Sequence, residues 1–165
     1  WSLSFKICKS KKDIIFIGLN PSLSDSTYID NTTRKIIKIC KNNNYGNLEI
    51  INLFALISKK PHQLLIHKEP VGYLNNMFIN KSLNYWSENK NCHLWLGWGN
   101  KGIFLNRNKK IYKKIMNSFS IKKDNFMNPL GPLFIKKTKK QNPIHPLYCL
   151  DNSVLKAEAS LNSYL

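Results

Sequence analysis

The sequence predicts an α/β fold, a three-layer sandwich around a central, mostly parallel sheet of about four strands, in one domain spanning residues 1–165. Three observations predict it. The β-branched and aromatic run from Asp13 to Ile17 stops at Gly18, the pattern of a strand buried on both faces of a parallel sheet. Segments with helical spacing alternate with strand-like runs, so right-handed crossovers between parallel strands are expected. Finally, 42% apolar and 12% aromatic residues in a chain of 165 supply a core that a disordered coil would lack.

Asp13 to Ile17 forms the first expected strand and stops at Gly18. A helix is expected from Asp30 to Asn44, with Ile36, Ile37, Ile39 and Cys40 inward, Asp30, Thr32 or Thr33 as N-cap and Gly46 at the stop. Leu48 to Phe54 reads as the second strand. Pro61 opens a short helical stretch through Leu64 and Leu65, and a longer helix fits Leu74 to Trp86, where Leu74, Phe78, Ile79, Leu83 and Trp86 form one stripe. His93 to Leu96 makes the third strand and ends in Gly97-Trp98-Gly99. Ile103 to Phe119 supports another helix, with Ile111, Ile115, Met116 and Phe119 on its inner face. From Phe126 to Leu150 four prolines enforce short extended pieces and loops, among which Leu133-Phe134-Ile135 is the expected fourth strand.

The charge is lopsided: 26 Lys plus Arg against 9 Asp plus Glu give +17. Only Arg34 and Arg107 are arginines, and abundant Lys, Asn and Ile are also what AT-rich codons supply. A field of this size on a small domain still attracts polyanions, so nucleic acid or a nucleotide is the expected partner. No run of about 18 apolar residues is present, which excludes a helical membrane span. No secretory signal is visible behind Trp1, so a cytoplasmic location is expected, and an opening Trp in place of Met is expected of a trimmed reading frame. Cys8, Cys40, Cys92 and Cys149 are scattered without ligand spacing, so reduced thiols, no metal and no cofactor are expected.

Parallel sheets place ligands beyond the carboxyl ends of their strands, and four stretches fall there. In Gly18-Leu19-Asn20-Pro21-Ser22, glycine allows close approach and Pro21 confines Asn20 to extended geometry, so its carboxamide is held in one direction to orient a water or read a base edge, or merely to close a turn. Asp30 to Arg34, with Thr33, places a carboxylate, hydroxyls and a guanidinium at a helix start, which suits a phosphate or an N-cap with a local ion pair. Gly97-Trp98-Gly99-Asn100-Lys101-Gly102 matches the dinucleotide-binding glycine pattern, although the same glycines serve tight helix–strand packing or a base and sugar approaching Trp98 and Gly99. His145-Pro146-Leu147-Tyr148 presents a histidine from a restrained loop, and Asn52, late in the second strand, is directed to the same rim.

These residues, in this order, resemble the bacterial family of domain of unknown function 1643. The resemblance rests on Leu19 to Ser22, Asp30 to Arg34, Tyr45-Gly46, Asn52-Leu53-Phe54, Pro70-Val71-Gly72, Trp98-Gly99, Thr138-Lys139 and His145 to Tyr148, and covers about Leu3 to Leu150. More distantly, the order is similar to the uracil-DNA glycosylase superfamily, with its Gly-x-Asn-Pro turn after the first strand, a later Trp-Gly turn and a His-Pro loop. That second resemblance implies a glycosylase-like fold, water positioned by Asn20, a leaving base stabilised by His145 and an apolar wedge at Leu147. Gly18, Pro21, Ser22, Asp30, Thr33, Arg34, Asn52, Trp98, Gly99, Leu147 and Tyr148 would contact the substrate. The implied function is hydrolysis or recognition of an N-glycosidic base in nucleic acid or a nucleotide. The alternatives are a non-catalytic basic module for nucleic acid and a dinucleotide-binding protein.

Overall fold

The computed structural model describes residues 2–21, 29–58 and 63–157. In chain order its elements are β1 (Leu3–Lys6), β2 (Asp13–Gly18), α1 (Asn31–Asn42), β3 (Asn47–Asn52), α2 (Gln63–Ile66), α3 (Asn75–Glu88), β4 (Cys92–Leu96), α4 (Arg107–Asn125), β5 (Leu133–Phe134) and β6 (Lys156–Ala157). Tight 3-10 turns cover Asn100–Asn106 and Pro146–Tyr148. The sheet runs β1-β3-β2-β4-β5-β6. Neighbours from β3 to β5 pair in parallel, whereas β1 pairs antiparallel with β3 and β6 with β5. The α/β class is as expected, but the sheet is mixed and six-stranded rather than mostly parallel with about four. The two extra strands escape sequence reading because β1 is a four-residue edge with alternating half-buried positions and β6 is two exposed residues.

Strand β2 shows why helices cover both faces. Its side chains alternate between two cores: Ile15 and Ile17 meet Ile79, Leu83 and Trp86 of α3 and Ile111 and Ile115 of α4. Ile14 and Phe16 meet Ile36, Ile39 and Cys40 of α1 together with Trp95. A strand with no polar face belongs in the middle of such a stack. Among the described residues no helix is long and apolar enough to cross a membrane.

Helix ends depart from expectation where local chemistry overrides periodicity. Asp30 caps α1 by accepting from the Thr32 and Thr33 amides, so of the three expected candidates it is the cap. The left-handed residue behind α1 is Asn44, φ 59°, and not Gly46. Gly46 serves close approach instead, since a Cβ there would lie 1.8 Å from the Ser10 carbonyl oxygen. The helix expected from Ile103 starts only at Arg107, because Phe104 is extended and Leu105 and Asn106 are both left-handed. It then runs on to Asn125. Lys122, buried on α4, gives its ammonium to the carbonyls of Trp86 and Asn89 and so satisfies the end of α3 that no glycine caps. The proline expected to open α2, Pro61, lies outside the described residues.

The two faces of α1 offer a direct check on this packing. Ile39 is wholly buried, whereas Ile37 lies at the margin of the same core. Ile39→Ala is expected to cost about 3 kcal/mol and Ile37→Ala clearly less, measured as shifts of the urea midpoint at constant slope. Equal costs would place α1 in a different rotation against the sheet.

Candidate functional site

The carboxyl ends of β2 and β3 stay in register to their last pair, Gly18 opposite Asn52. Beyond it the backbones keep bonding: the Leu53 amide donates to the Gly18 carbonyl at 3.0 Å, and the Phe54 amide to that of Leu19 at 2.9 Å. Two chains that leave the sheet together bring Asn20 and Asn52 to one rim. Gly18 makes the approach feasible, because a Cβ there would lie 2.6 Å from the Asn52 Oδ1.

A cavity of about 390 Å³ opens at this rim, on the α1 side of the sheet. Gly18, Asn20, Pro21, Thr33, Asn52 and His145 all border it, with Phe16, Ile36 and Ile50 among its apolar walls. These are residues up to 127 positions apart in the chain, and they include both expected catalytic residues. The volume lies in the range of small-molecule sites, roughly 300 to 1,000 Å³.

Asn52 is the most informative of them. It is only 8% exposed, yet its carboxamide makes no hydrogen bond among the described residues. Its polar atoms are not sealed in the interior, so the amide is open to the cavity it borders and can bond a ligand there. Its backbone is held from the opposite face. The Asn75 amide donates to the Asn52 and Leu53 carbonyls, both at 3.0 Å, and Arg107 Nε donates to the Leu53 carbonyl at 2.7 Å.

Asn20 is locked differently. Its Nδ2 donates to the carbonyls of Pro21, Leu56 and Ser58 at 3.0, 3.3 and 2.8 Å. Three carbonyls can be met only by the amide nitrogen, which fixes the flip and leaves Oδ1 as the group available to accept.

His145 sits on a loop that two glycines let in. A Cβ on Gly97 would lie 2.4 Å from the Phe16 ring and 3.3 Å from Pro146, and one on Gly99 would meet the His145 Cβ at 3.4 Å. The Gly99 amide also donates to the Pro143 carbonyl at 2.9 Å. His145 Nδ1 accepts from the Leu147 amide at 3.4 Å, which assigns the ring proton to Nε2. Burial lowers the pKa of the ring below the ordinary histidine value, and the weaker pull of the Asp30 carboxylate in the other direction does not offset it. Burial thus favours the neutral ring, which with Nδ1 accepting offers Nε2–H as its donor.

The other expected site residues are distributed around this centre. Asp30 stands behind the cavity wall and accepts the Thr33 hydroxyl at 2.8 Å. Arg34 is exposed on the outer side of α1 and makes no ion pair among the described residues, so the expected Asp30–Arg34 pair is not formed. Trp98 is not at the rim: it is fully buried edge-on against Tyr112, because it continues the inward alternation of β4. Gly99 backs His145 rather than the cavity. Leu147, 49% exposed, and Tyr148, 76% exposed, project from the turn that follows His145. Ser22 lies outside the described residues.

The glycine pattern forms no open phosphate cradle. Gly97 faces Phe16 and Pro146, Gly99 faces His145, and a Cβ on Gly102 would lie 2.2 Å from the Trp98 ring. The space a pyrophosphate would need is filled by the protein itself. Among the described residues no group of three His, Cys, Asp or Glu side chains is placed to hold a metal ion.

Two positioning residues escaped the sequence reading, Asn75 and Arg107. Arg107 had a signal, being one of two arginines among 26 basic residues. It is 3% exposed, burial lowers its pKa to about 10, and its Nη2 finds no partner among the described residues. Asn75 had none, since asparagine is abundant throughout the chain.

The family model described as Protein of unknown function (DUF1643) matches residues 1–147, and the chain belongs to that family. No curated protein and no solved structure matches the chain.

Two outcomes are expected from this geometry. Gly18→Ala should displace the Asn52 carboxamide and abolish ligand binding with little change in melting temperature; unchanged binding would show that Asn52 does not serve the cavity. The second concerns protons. His93 and His145 are both held below the ordinary value of 6.5 by burial, so each takes up a proton more readily unfolded than folded. Stability should be level above about pH 6.5 and fall as pH drops through the lowered folded values, and His145→Gln should make the fall shallower. A melting-temperature profile identical to that of the unsubstituted protein would contradict it.

Proposed function

We propose that this member of the DUF1643 family receives a nucleobase in the cavity at the ends of β2 and β3 and hydrolyses its N-glycosidic bond, as a distant, glycosylase-like relative of the uracil-DNA glycosylases. The observation that carries the reading is the meeting of Asn20, Asn52 and His145 at one cavity, where the Asn52 carboxamide makes no hydrogen bond among the described residues.

A carboxamide offers a donor and an acceptor side by side, the complement of the amide edge of a base. Phe16, Ile36 and Ile50 give apolar walls for the faces of a flat ring, and Asn52 supplies the polar reading. As the bond between the anomeric carbon and the base nitrogen breaks, its electron pair goes to the base. The Nε2–H of neutral His145 stabilises the resulting charge by hydrogen bonding. Asn20 Oδ1 accepts from a water and directs its oxygen toward the anomeric carbon, where the new C–O bond forms. One proton of that water ends on the released base. With the described lining residues, the protein's contribution is leaving-group stabilisation by His145 and water placement by Asn20.

The test is base release from uracil, hypoxanthine, mismatch and modified-base oligonucleotides, single and double stranded, scored as abasic sites beside retention on a gel. His145→Ala is expected to lower release about 100-fold or more with folding intact, and Asn52→Leu to abolish it. Retention without release from every substrate would leave recognition without catalysis; release that survives both substitutions would contradict the site.

A further inference from the structure

Residues 89–150 hold thirteen basic side chains and one acidic one, Asp124, and so account for +12 of the chain's +17. Asp124 lies near the far end of the 19-residue α4, about 25 Å from its start. The start of α4 therefore carries unopposed positive charge, and the fold gathers more charge onto it.

Lys136 to Ile144 form a tight hairpin. Lys137 bridges antiparallel to Pro143, the Ile144 amide donates to the Lys136 carbonyl at 3.0 Å, and the Thr138 amide to that of Asn142 at 2.8 Å. The tip is closed by the Gln141 amide on the Thr138 carbonyl at 2.9 Å, with Gln141 left-handed at φ 59°. Lys139 and Lys140 are thus the two central residues of the turn, and both are exposed.

The hairpin is anchored rather than loose. The Thr138 hydroxyl bonds Asn100 Oδ1 at 2.6 Å, and the buried Asn142 bonds both Asn100 and Asn108. Those anchors are sequence neighbours of exposed Lys101 and Lys109, so the bonds to Asn100 and Asn108 bring the backbone of the lysine-bearing tip close to the backbone that carries these lysines. The second arm of the hairpin continues directly into His145. Fixing like charges side by side is unfavourable unless a polyanion relieves the repulsion.

We infer that this hairpin and the start of α4 form a track for the phosphodiester backbone of nucleic acid, leading to the His145 side of the cavity, so that the substrate is a polymer and not a free nucleotide. The choice of polymer over nucleotide rests on the nucleobase reading of the cavity; the track itself does not. It also gives the Thr138-Lys139 pair a role: Thr138 is the anchor and Lys139 the contact.

The test is fluorescence titration of a labelled 25-nucleotide mixed-sequence DNA, single stranded and duplex, over a series of salt concentrations. Lys139→Gln with Lys140→Gln should weaken binding at least about 5-fold at 0.1 M salt, uniformly across sequences, and reduce the slope of log affinity against log salt by about 2. Lys9→Gln with Lys11→Gln, exposed at the opposite end of β2, should change affinity less than about 2-fold. Thr138→Val, which keeps every lysine, should fall in between. Equal losses from the two lysine pairs, or none from the hairpin pair, would overturn the track. Uridine monophosphate binding that drops as much as DNA binding in the hairpin variant would overturn the preference for a polymer. Asn52→Leu should leave the salt slope unchanged, so a failure of the base pocket and a failure of the track read out separately.

Discussion

The end of the sheet is organised by the absence of two side chains. At Gly18 a methyl group would overlap the Asn52 carboxamide, and at Gly97 it would overlap Phe16 and press on Pro146. Gly18 ends β2, and Gly97 directly follows the neighbouring strand β4. Because nothing projects there, β3's last residue can lean over the end of β2, and the loop bearing His145 can close over the end of β4. The cavity is the space left between those approaches and the first turn of α1. A methyl group at either position makes the neighbouring side chain shift, which at Gly18 means the Asn52 carboxamide itself.

From this constraint the chemical character of the site follows. Asn20 spends its nitrogen on three carbonyls and keeps an oxygen; Asn52 keeps both ends of its carboxamide; His145 keeps one N–H. The set consists of neutral, pre-aimed hydrogen-bonding groups beside an apolar wall. Exposed lysines gather on the hairpin and at the start of α4. On the proposed reading, that division would separate selection of a neutral ring, inside, from attraction of a polyanion, outside. The support beneath Asn52, from Asn75 and Arg107 on the opposite face, ties its direction to α3 and α4 and so to the larger of the two cores.

Much of this was legible in the sequence. The run around Ile15 has no polar face and reads as a central strand, those around Ile50 and Leu94 read as strands, and the Gly-x-Asn-Pro turn falls at the rim. What was not legible depended on tertiary distance or on single residues. β1 is an ordinary alternating tetrapeptide that becomes a strand only because β3 offers an edge. Trp98 looked like a rim aromatic because glycines flank it, yet it points inward to fill the space over Gly102 and Tyr112. The helix expected from Ile103 hid a break at Leu105 and Asn106, since two consecutive left-handed non-glycine residues carry no compositional mark. Asn75 and Thr138 act through partners more than twenty residues away, which no local pattern encodes.

The central claim is that the Asn52 carboxamide is completed by a nucleobase. Its side-chain NH₂ resonances in a nitrogen-15 correlation spectrum report on that contact alone, and the Asn75 side chain, already bonded to two carbonyls, is the internal reference. Titration with free uracil, hypoxanthine, cytosine and adenine should move the Asn52 pair saturably for at least one base while the Asn75 pair stays in place. An Asn52 pair that no base moves, or that moves only together with Asn75, would contradict the account.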